Sequence, residues 1–187
     1  MMPQANDELS AAQIDPKIEI ALDIRRFYAD PLGFVKYAYP WGQPGLLEKH
    51  SGPDTWQRDF LIELGTQVKQ RGFDGFQPVA PIRMVVASGH GVGKSVLSAW
   101  LTHWLMSTRP FAKGTATANT YTQLSTKTWA AIQQWGRLLI NRAWFQTGNE
   151  SMYYRGRKDS WAITPQSCRE ENSEAFAGQH AADSPLL

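Results

Sequence analysis

The chain has 187 residues, 42% of them apolar and 19% charged, with a formal net charge of +2. This length and apolar content exclude a disordered chain and suffice for a globular domain with its own core. The single cysteine, Cys168, excludes an internal disulfide framework and a zinc site built from several cysteines, and the small net charge does not by itself indicate nucleic-acid binding.

The N-terminal part of the chain is predicted to contain a polar lead-in and two short helices. Residues 1–14 are polar, with no apolar core of a secretory signal. Asp15 followed by Pro16 is typical of a helix cap and first turn, and an apolar face then continues to Asp30. A second helix is expected from Pro31, and it should end before the YPWGQPG sequence at residues 39–45, where Trp41 is expected to be a packing anchor.

A third helix is predicted from about residue 53 to a glycine stop at Gly72. Its apolar residues recur at every fourth position, namely Trp56, Phe60, Leu64 and Val68. Gln57 near its start is a candidate base-reading residue, because an amide matches the donor and acceptor of an adenine edge and the neighbouring aromatic ring can stack on the base. The alternative is an exposed helix glutamine beside a core tryptophan.

Residues 84–95 read MVVASGHGVGKS, a short apolar run followed by a glycine-rich loop. Residues 84–87 predict a buried strand, and the apolar residues from 96 to 104 predict a helix behind the loop. The ending Gly93-Lys94-Ser95 is typical of a P-loop, although Ser88 stands where the usual pattern begins with glycine. The expected ligands are therefore a nucleoside triphosphate and Mg²⁺, and the alternative is a glycine-rich turn that binds nothing.

Backbone N–H groups of such a loop hold a polyphosphate, while a lysine neutralises the outer phosphates and a hydroxyl binds Mg²⁺. Lys94 is accordingly the expected catalytic residue and Ser95 the expected metal ligand. His90 could donate to a phosphate, but a spacer role is the alternative. The expected nucleotide contacts are Ser88, Gly89, His90, Gly91, Val92, Gly93, Lys94 and Ser95.

Beyond the loop, a small-residue strand (KGTATA, 113–118) and a helix over 121–135 are predicted. Alternating strands and helices predict a parallel α/β sheet. Hydroxyl and amide side chains at 115–123 should lie at the ligand-binding edge of that sheet, although a capped helix start is the alternative. Residues 151–165 predict a hairpin or further strand. The basic cluster of Arg155, Arg157 and Lys158 could contact DNA, act on the nucleotide of a neighbouring subunit, or remain a solvated loop.

Five segments together resemble the N-terminal ATPase region of the large terminase subunit of tailed bacteriophages. They are ADPLGFVKYAYPWG (29–42), DTWQRDFL (54–61), SGHGVGKS (88–95), TATANTYTQLSTKTW (115–129) and EAFAGQHA (174–181). The resemblance implies a P-loop NTPase fold, a three-layer parallel sheet with helices on both faces. It divides the chain into an N-terminal lead-in and helical segment at 1–52 and a partial ATPase domain at 53–187. It also implies that Gln57 contacts adenine.

The chain departs from the family in one respect, because no strand-borne acidic residue for Mg²⁺ or catalysis is evident. In the family, the segment resembling residues 174–187 leads into that strand, and a nuclease domain follows later. The resemblance therefore implies a fold incomplete at the C-terminus and a fragment with little or no hydrolysis. Alternatives are a helicase-like P-loop translocase, a small-molecule kinase and a non-functional prophage remnant.

The resemblance also implies partners and a location. A terminase large subunit translocates double-stranded DNA into the prohead, works with a small terminase subunit and a portal, and forms a homo-oligomeric ring. It acts in the cytoplasm of the bacterial host. No membrane partner is expected, since the longest apolar stretch, residues 96–106, is interrupted by polar side chains and is too short to span a bilayer.

Overall fold

The computed structural model describes residues 15–72 and 79–167. The fold is mixed α/β: four helices precede the first strand, and a further helical stretch precedes the other three strands. This agrees with the α/β expectation at the level of class. The predicted lead-in at 1–14, Cys168 and the segment at 174–181 lie outside the described residues. No helix in the described part is both long and apolar enough to cross a bilayer.

The first two helices begin at the Asp-Pro pairs, as the sequence predicts. Helix α1 spans Pro16–Arg25, and the Asp15 carboxylate accepts a 2.9 Å hydrogen bond from the backbone N–H of Lys17. Helix α2 spans Pro31–Ala38, and Asp30 caps it in the same way. Each carboxylate satisfies a backbone donor that has no partner inside the helix. Helix α1 ends at Arg25, short of the predicted Asp30.

Helix α3 spans Thr55–Arg71 and ends at Gly72, whose φ of 58° is the left-handed conformation of a glycine C-cap. Of the predicted stripe, Val68 is buried, whereas Trp56, Phe60 and Leu64 are only half-buried. The other buried residues, Gln57, Leu61 and Gly65, lie one position after the predicted ones. A Cβ at position 65 would lie 3.0 Å from the carbonyl oxygen of Ala29, so Gly65 permits a close approach to the start of α2.

Helix α4 spans Lys94–Thr108, and residues 102–108 in its second half are all buried. Near its middle, Trp100 joins an aromatic cluster with Tyr39, Trp41 and Trp135, in which ring centroids lie 5.1–6.4 Å apart. The Trp41 indole N–H also donates to the carbonyl of Val35 at 2.8 Å. The prediction that Trp41 anchors its loop is confirmed.

The sheet contains four strands in the order β1-β4-β3-β2. The strands are β1 (Lys113–Ala118), β2 (Phe145–Thr147), β3 (Met152–Tyr154) and β4 (Ala162–Ser167). Only β1 and β4 pair in parallel, and the other two pairs are antiparallel. The prediction of a parallel sheet is therefore wrong for two of its three strand pairs. The links after β2 and β3 are too short for a parallel crossover.

Residues 121–136 form one helical stretch between β1 and β2, as predicted, but its middle is π-helical. A short α-helix α5 (Tyr121–Gln123) is followed by a π-helix at Leu124–Trp129 and then α6 (Ala130–Gly136). The wider turn brings residues five apart onto one face, so Leu124 and Trp129 are both buried. The π-helix contacts β1 and β4, and α6 packs on α4.

The predicted buried strand before the glycine loop is absent. The structure describes residues 79–89, but they do not form a strand, and Val85 is 90% exposed. In the described part of the chain, β1 and β2 are the two edge strands, and neither pairs with this segment. Its alternate residues Ile82 and Val86 are half-buried against the core, whereas Val85 between them faces solvent.

Candidate phosphate-binding site

The glycine-rich loop, residues 88–95, leads directly into the N-terminus of α4. Gly91 and Gly93 have φ values of 78° and 87°, the left-handed region that glycine adopts without strain. Gly93 is the N-cap, and its carbonyl accepts from Leu97 N–H at 3.0 Å. The N–H groups of residues 94–96 have no carbonyl acceptor one turn earlier in the helix, which makes this end suited to an anion.

The Lys94 side chain folds back over the loop. Its ammonium donates to the Ser88 carbonyl at 3.0 Å, to the Ser88 hydroxyl at 3.2 Å and to the Gly89 carbonyl. The one strong cation of the loop is therefore held beside its own backbone carbonyls. A polyphosphate, with several anionic oxygens, is a better partner for an ammonium than neutral carbonyls.

Gln57 lies against the end of this loop and is only 4% exposed. Its Nε2 donates to the Gly93 carbonyl at 3.2 Å, and its Oε1 accepts from Asp54 N–H at 3.0 Å. The alternative of an exposed helix glutamine is therefore wrong. A Cβ at position 93 would lie 2.7 Å from Gln57 Nε2, so this contact requires glycine there.

The contact between Gln57 and Asp54 could have been predicted from a local sequence motif, although apolar periodicity does not reveal it. Asp54 and Gln57 stand three residues apart at the start of α3, the spacing of a capping box, and the Gln57 side chain accepts from Asp54 N–H as that motif requires. The Gly93 contact has no such signal, because it joins residues 36 apart. One amide proton and one lone pair of Gln57 remain beyond these two bonds, so a third partner is chemically possible.

The remaining loop residues differ in exposure. Ser95 is half-buried in the first turn of α4, whereas Ser88, Gly89, His90, Gly91 and Val92 are exposed. The exposed part of the loop is accessible to a ligand from solvent. Ser95 lies next to Lys94 at the helix N-terminus, so its hydroxyl and the ammonium come from consecutive residues on one turn.

The polar residues after β1 lie where the sequence places them, just beyond the carboxyl end of that strand. The Thr120 hydroxyl accepts from Gln123 N–H at 3.1 Å, so Thr120 is the cap of α5. The capped-helix alternative is thus confirmed for Thr120. Its hydroxyl satisfies a helix N–H group, which is a sufficient structural reason for its presence.

Acidic residues are absent from all four described strands, which read KGTATA, FQT, MYY and AITPQS. Within the described ranges, no group of three or more His, Cys, Asp or Glu side chains is placed to hold a metal ion. Ser95 is the one expected metal ligand that the loop supplies. A hydroxyl alone is a weak ligand for Mg²⁺, which also needs phosphate oxygens, carboxylates or water.

Comparison with known proteins gives one informative similarity. A protein of Enterobacteria phage P7 described as "Probable terminase, large subunit" is 30% identical to this chain over 150 residues. The match covers 78% of this chain and 28% of the phage P7 protein. No family model matches the chain, and no solved structure matches it. The similarity supports a terminase-like relationship for the chain.

Proposed function

We propose that this chain is the ATP-binding part of a terminase large subunit that powers movement of DNA into a phage prohead. The observation that carries the proposal is the glycine loop at the start of α4, with the Lys94 ammonium held beside the loop carbonyls. Similarity to the phage P7 protein supports the choice of a terminase over another P-loop protein.

In this proposal the loop N–H groups and Lys94 hold the phosphates of ATP, and Ser95 contributes its hydroxyl to Mg²⁺. The fold in which they work would be that of a P-loop NTPase. Lys94 exchanges its bonds to Ser88 and Gly89 for bonds to phosphate oxygens. Gln57 holds the Gly93 carbonyl and uses its remaining amide proton and lone pair for the adenine edge.

The chain by itself is proposed to bind ATP and to hydrolyse it slowly. Rapid phosphoryl transfer needs a carboxylate to hold the hydrated Mg²⁺ and a group that orients the attacking water. None of the described strands carries Asp or Glu. This supports a chain that binds ATP without hydrolysing it rapidly. Double-stranded DNA, a small terminase subunit, a portal and a homo-oligomeric ring in the bacterial cytoplasm belong to the proposed function of the whole motor.

The test is a titration of the chain with a fluorescent ATP analogue in the presence of Mg²⁺, together with a measurement of phosphate release. We expect Lys94→Ala to weaken nucleotide affinity by about ten-fold or more, because a charge-assisted contact to phosphate is lost. Lys69→Ala is the matched control, since Lys69 is an exposed lysine on α3. The control should bind as the unmodified chain does.

Equal affinity of the Lys94→Ala variant and the unmodified chain would overturn the proposed site. Rapid, Lys94-dependent phosphate release would instead overturn the proposed slow hydrolysis, because a catalytic carboxylate would then lie within these residues.

The variant Gln57→Ala distinguishes two roles of Gln57, recognition of the adenine base and support of the glycine loop. If Gln57 reads adenine, its loss weakens ATP more than GTP, whereas bracing alone affects both nucleotides equally.

A further inference from the structure

A cleft of about 430 Å³ lies at the β2 edge of the sheet, three strands away from β1. Three arginines line it: Arg137 at the end of α6, Arg142 in a 3₁₀ turn before β2, and Arg155 just after β3. The cleft is distinct from the glycine loop, because none of the loop residues lines it. Its lining contains no lysine and no carboxylate.

The three guanidinium groups have no acidic partners in the parts of the chain that the structure describes. The ion pair found there joins Arg26 to Asp23, far away in sequence on α1. Arg155 is oriented by one bond, from its Nε to the Ala143 carbonyl at 3.0 Å, which leaves its two terminal nitrogens as donors. Like charges placed together repel one another, so an anion in the cleft would relieve a cost that the chain now carries.

Charge in this region contrasts with the rest of the chain. Residues 127–159 contain six Lys and Arg and two acidic residues, Glu150 and Asp159, so their formal charge is +4 within a chain of +2. The remaining residues therefore sum to −2. Arg157 and Lys158 extend the positive surface along the exposed loop after β3. A surface of this kind fits a polyanion longer than one phosphate.

We propose that this arginine-lined cleft binds the phosphate backbone of a nucleic acid. Arginine favours this chemistry because its planar fork matches two phosphate oxygens at once, and contacts to phosphates position a duplex without reading its sequence. The choice of DNA over another polyanion rests on the proposed terminase function. The affinity of the cleft for phosphate does not depend on it.

The test measures binding of a fluorescein-labelled 30-base-pair duplex by anisotropy between 25 and 200 mM salt. The Arg137→Gln/Arg142→Gln double variant removes two cleft charges. The Arg58→Gln/Lys69→Gln double variant removes the same charge from the exposed face of α3 and is the matched control. All four side chains are exposed, so both variants should fold, and circular dichroism checks that they do.

We expect the cleft variant to bind about ten-fold more weakly at 50 mM salt and to lose about one to two units of the slope of log affinity against log salt. The control should change affinity by less than about three-fold. If both variants lose the same affinity for the duplex, binding reflects general charge attraction. If the cleft variant loses no affinity, the cleft does not contact the duplex. Either result overturns the proposal.

Competition identifies the source of the anion. Unlabelled duplex should displace the labelled duplex, whereas polyglutamate of equal charge should do so poorly. Efficient displacement by polyglutamate would overturn the phosphate assignment, and efficient displacement by inorganic phosphate or ATP would replace the nucleic acid with a small free anion. Nucleotide binding through Lys94, measured on the same variants, should be unchanged, so failure of the cleft and failure of the proposed ATP site give different results.

Discussion

Gln57 joins the start of α3 to the end of the glycine loop through one side chain. Gln57 is nearly buried, and its two bonds give Asp54 N–H an acceptor and the Gly93 carbonyl a second donor beside Leu97 N–H. A buried polar group left without a partner costs more than a hydrogen bond gains. Gln57 therefore has a structural role whether or not it also contacts a base.

We expect Gln57→Ala to lower the free energy of unfolding by about 1–3 kcal/mol, because Asp54 N–H loses its acceptor and the Gly93 carbonyl loses one of its two donors. Urea denaturation followed by tryptophan fluorescence measures the change. Gln70→Ala, at an exposed position of the same helix, should change stability by less than about 0.5 kcal/mol. Equal stability of the two variants would contradict the bracing role.

At the scale of elements, the apolar segment before the glycine loop and strand β4 differ in pairing and in the burial of their apolar residues. Val85 has no neighbouring strand and is 90% exposed, whereas Ile163 in β4 lies between β1 and β3 and is fully buried. The sequence predicts a strand at both places. Val85 lies on the solvent side of an unpaired segment whose neighbour Val86 contacts the core, whereas the strands on both sides of β4 supply Ile163 with hydrogen bonds and side-chain contacts.

The substitutions Val85→Asn and Ile163→Asn should therefore have very different effects. We expect Val85→Asn to change the free energy of unfolding by less than about 0.5 kcal/mol, as at other exposed positions. Ile163→Asn should cost about 3 kcal/mol or more, because it buries an amide in an apolar site. Denaturation curves of the two variants decide the matter, and a large loss at Val85 would mean that residues 84–87 are buried in solution.

The whole molecule is organised around α4, which packs against the N-terminal helices on one side and the 121–136 helical stretch on the other. An ionisable side chain of α4, His103, and that of Arg109, the residue after the helix, are both buried. His103 is fully buried and hydrogen-bonded to the Tyr39 hydroxyl at 2.7 Å. Arg109 lies between the rings of Tyr28 and Trp104, and burial lowers its pKa to about 10, so it stays charged at neutral pH.

The stability of the whole chain should fall in mild acid because of His103. Burial lowers the pKa of His103 from 6.5 to about 3, so between these values the unfolded chain binds a proton there that the folded chain does not. The free energy of unfolding is therefore expected to drop by about 2 kcal/mol from this residue as pH falls from 7 to 5.

Urea denaturation at both pH values tests this expectation. The variant His103→Gln cannot bind the proton, so its loss between pH 7 and 5 should be smaller than that of the unmodified chain by about 2 kcal/mol. His50→Gln, at an exposed position, should keep the full pH dependence. Identical pH dependence of all three proteins would rule out a neutral, buried His103.

The sequence by itself determined the features that depend on near neighbours. Asp15 and Asp30 cap the helices that follow them, and Gly72 ends α3, because each such cap involves atoms only two to four residues away. The glycine loop and its lysine belong to the same class, since the turn and the helix start are local. Together these features account for the predicted helices and for the candidate phosphate site.

Tertiary structure decided what depends on distant segments. The direction of β2 and β3, the absence of a strand at 84–87 and the buried face of α3 all follow from which elements meet, and apolar periodicity does not contain that information. The contact from Gln57 to Gly93 and the gathering of Arg137, Arg142 and Arg155 at one cleft have the same cause. Local geometry acts through short-range sterics and hydrogen bonds, whereas pairing and burial depend on the folding of the whole chain.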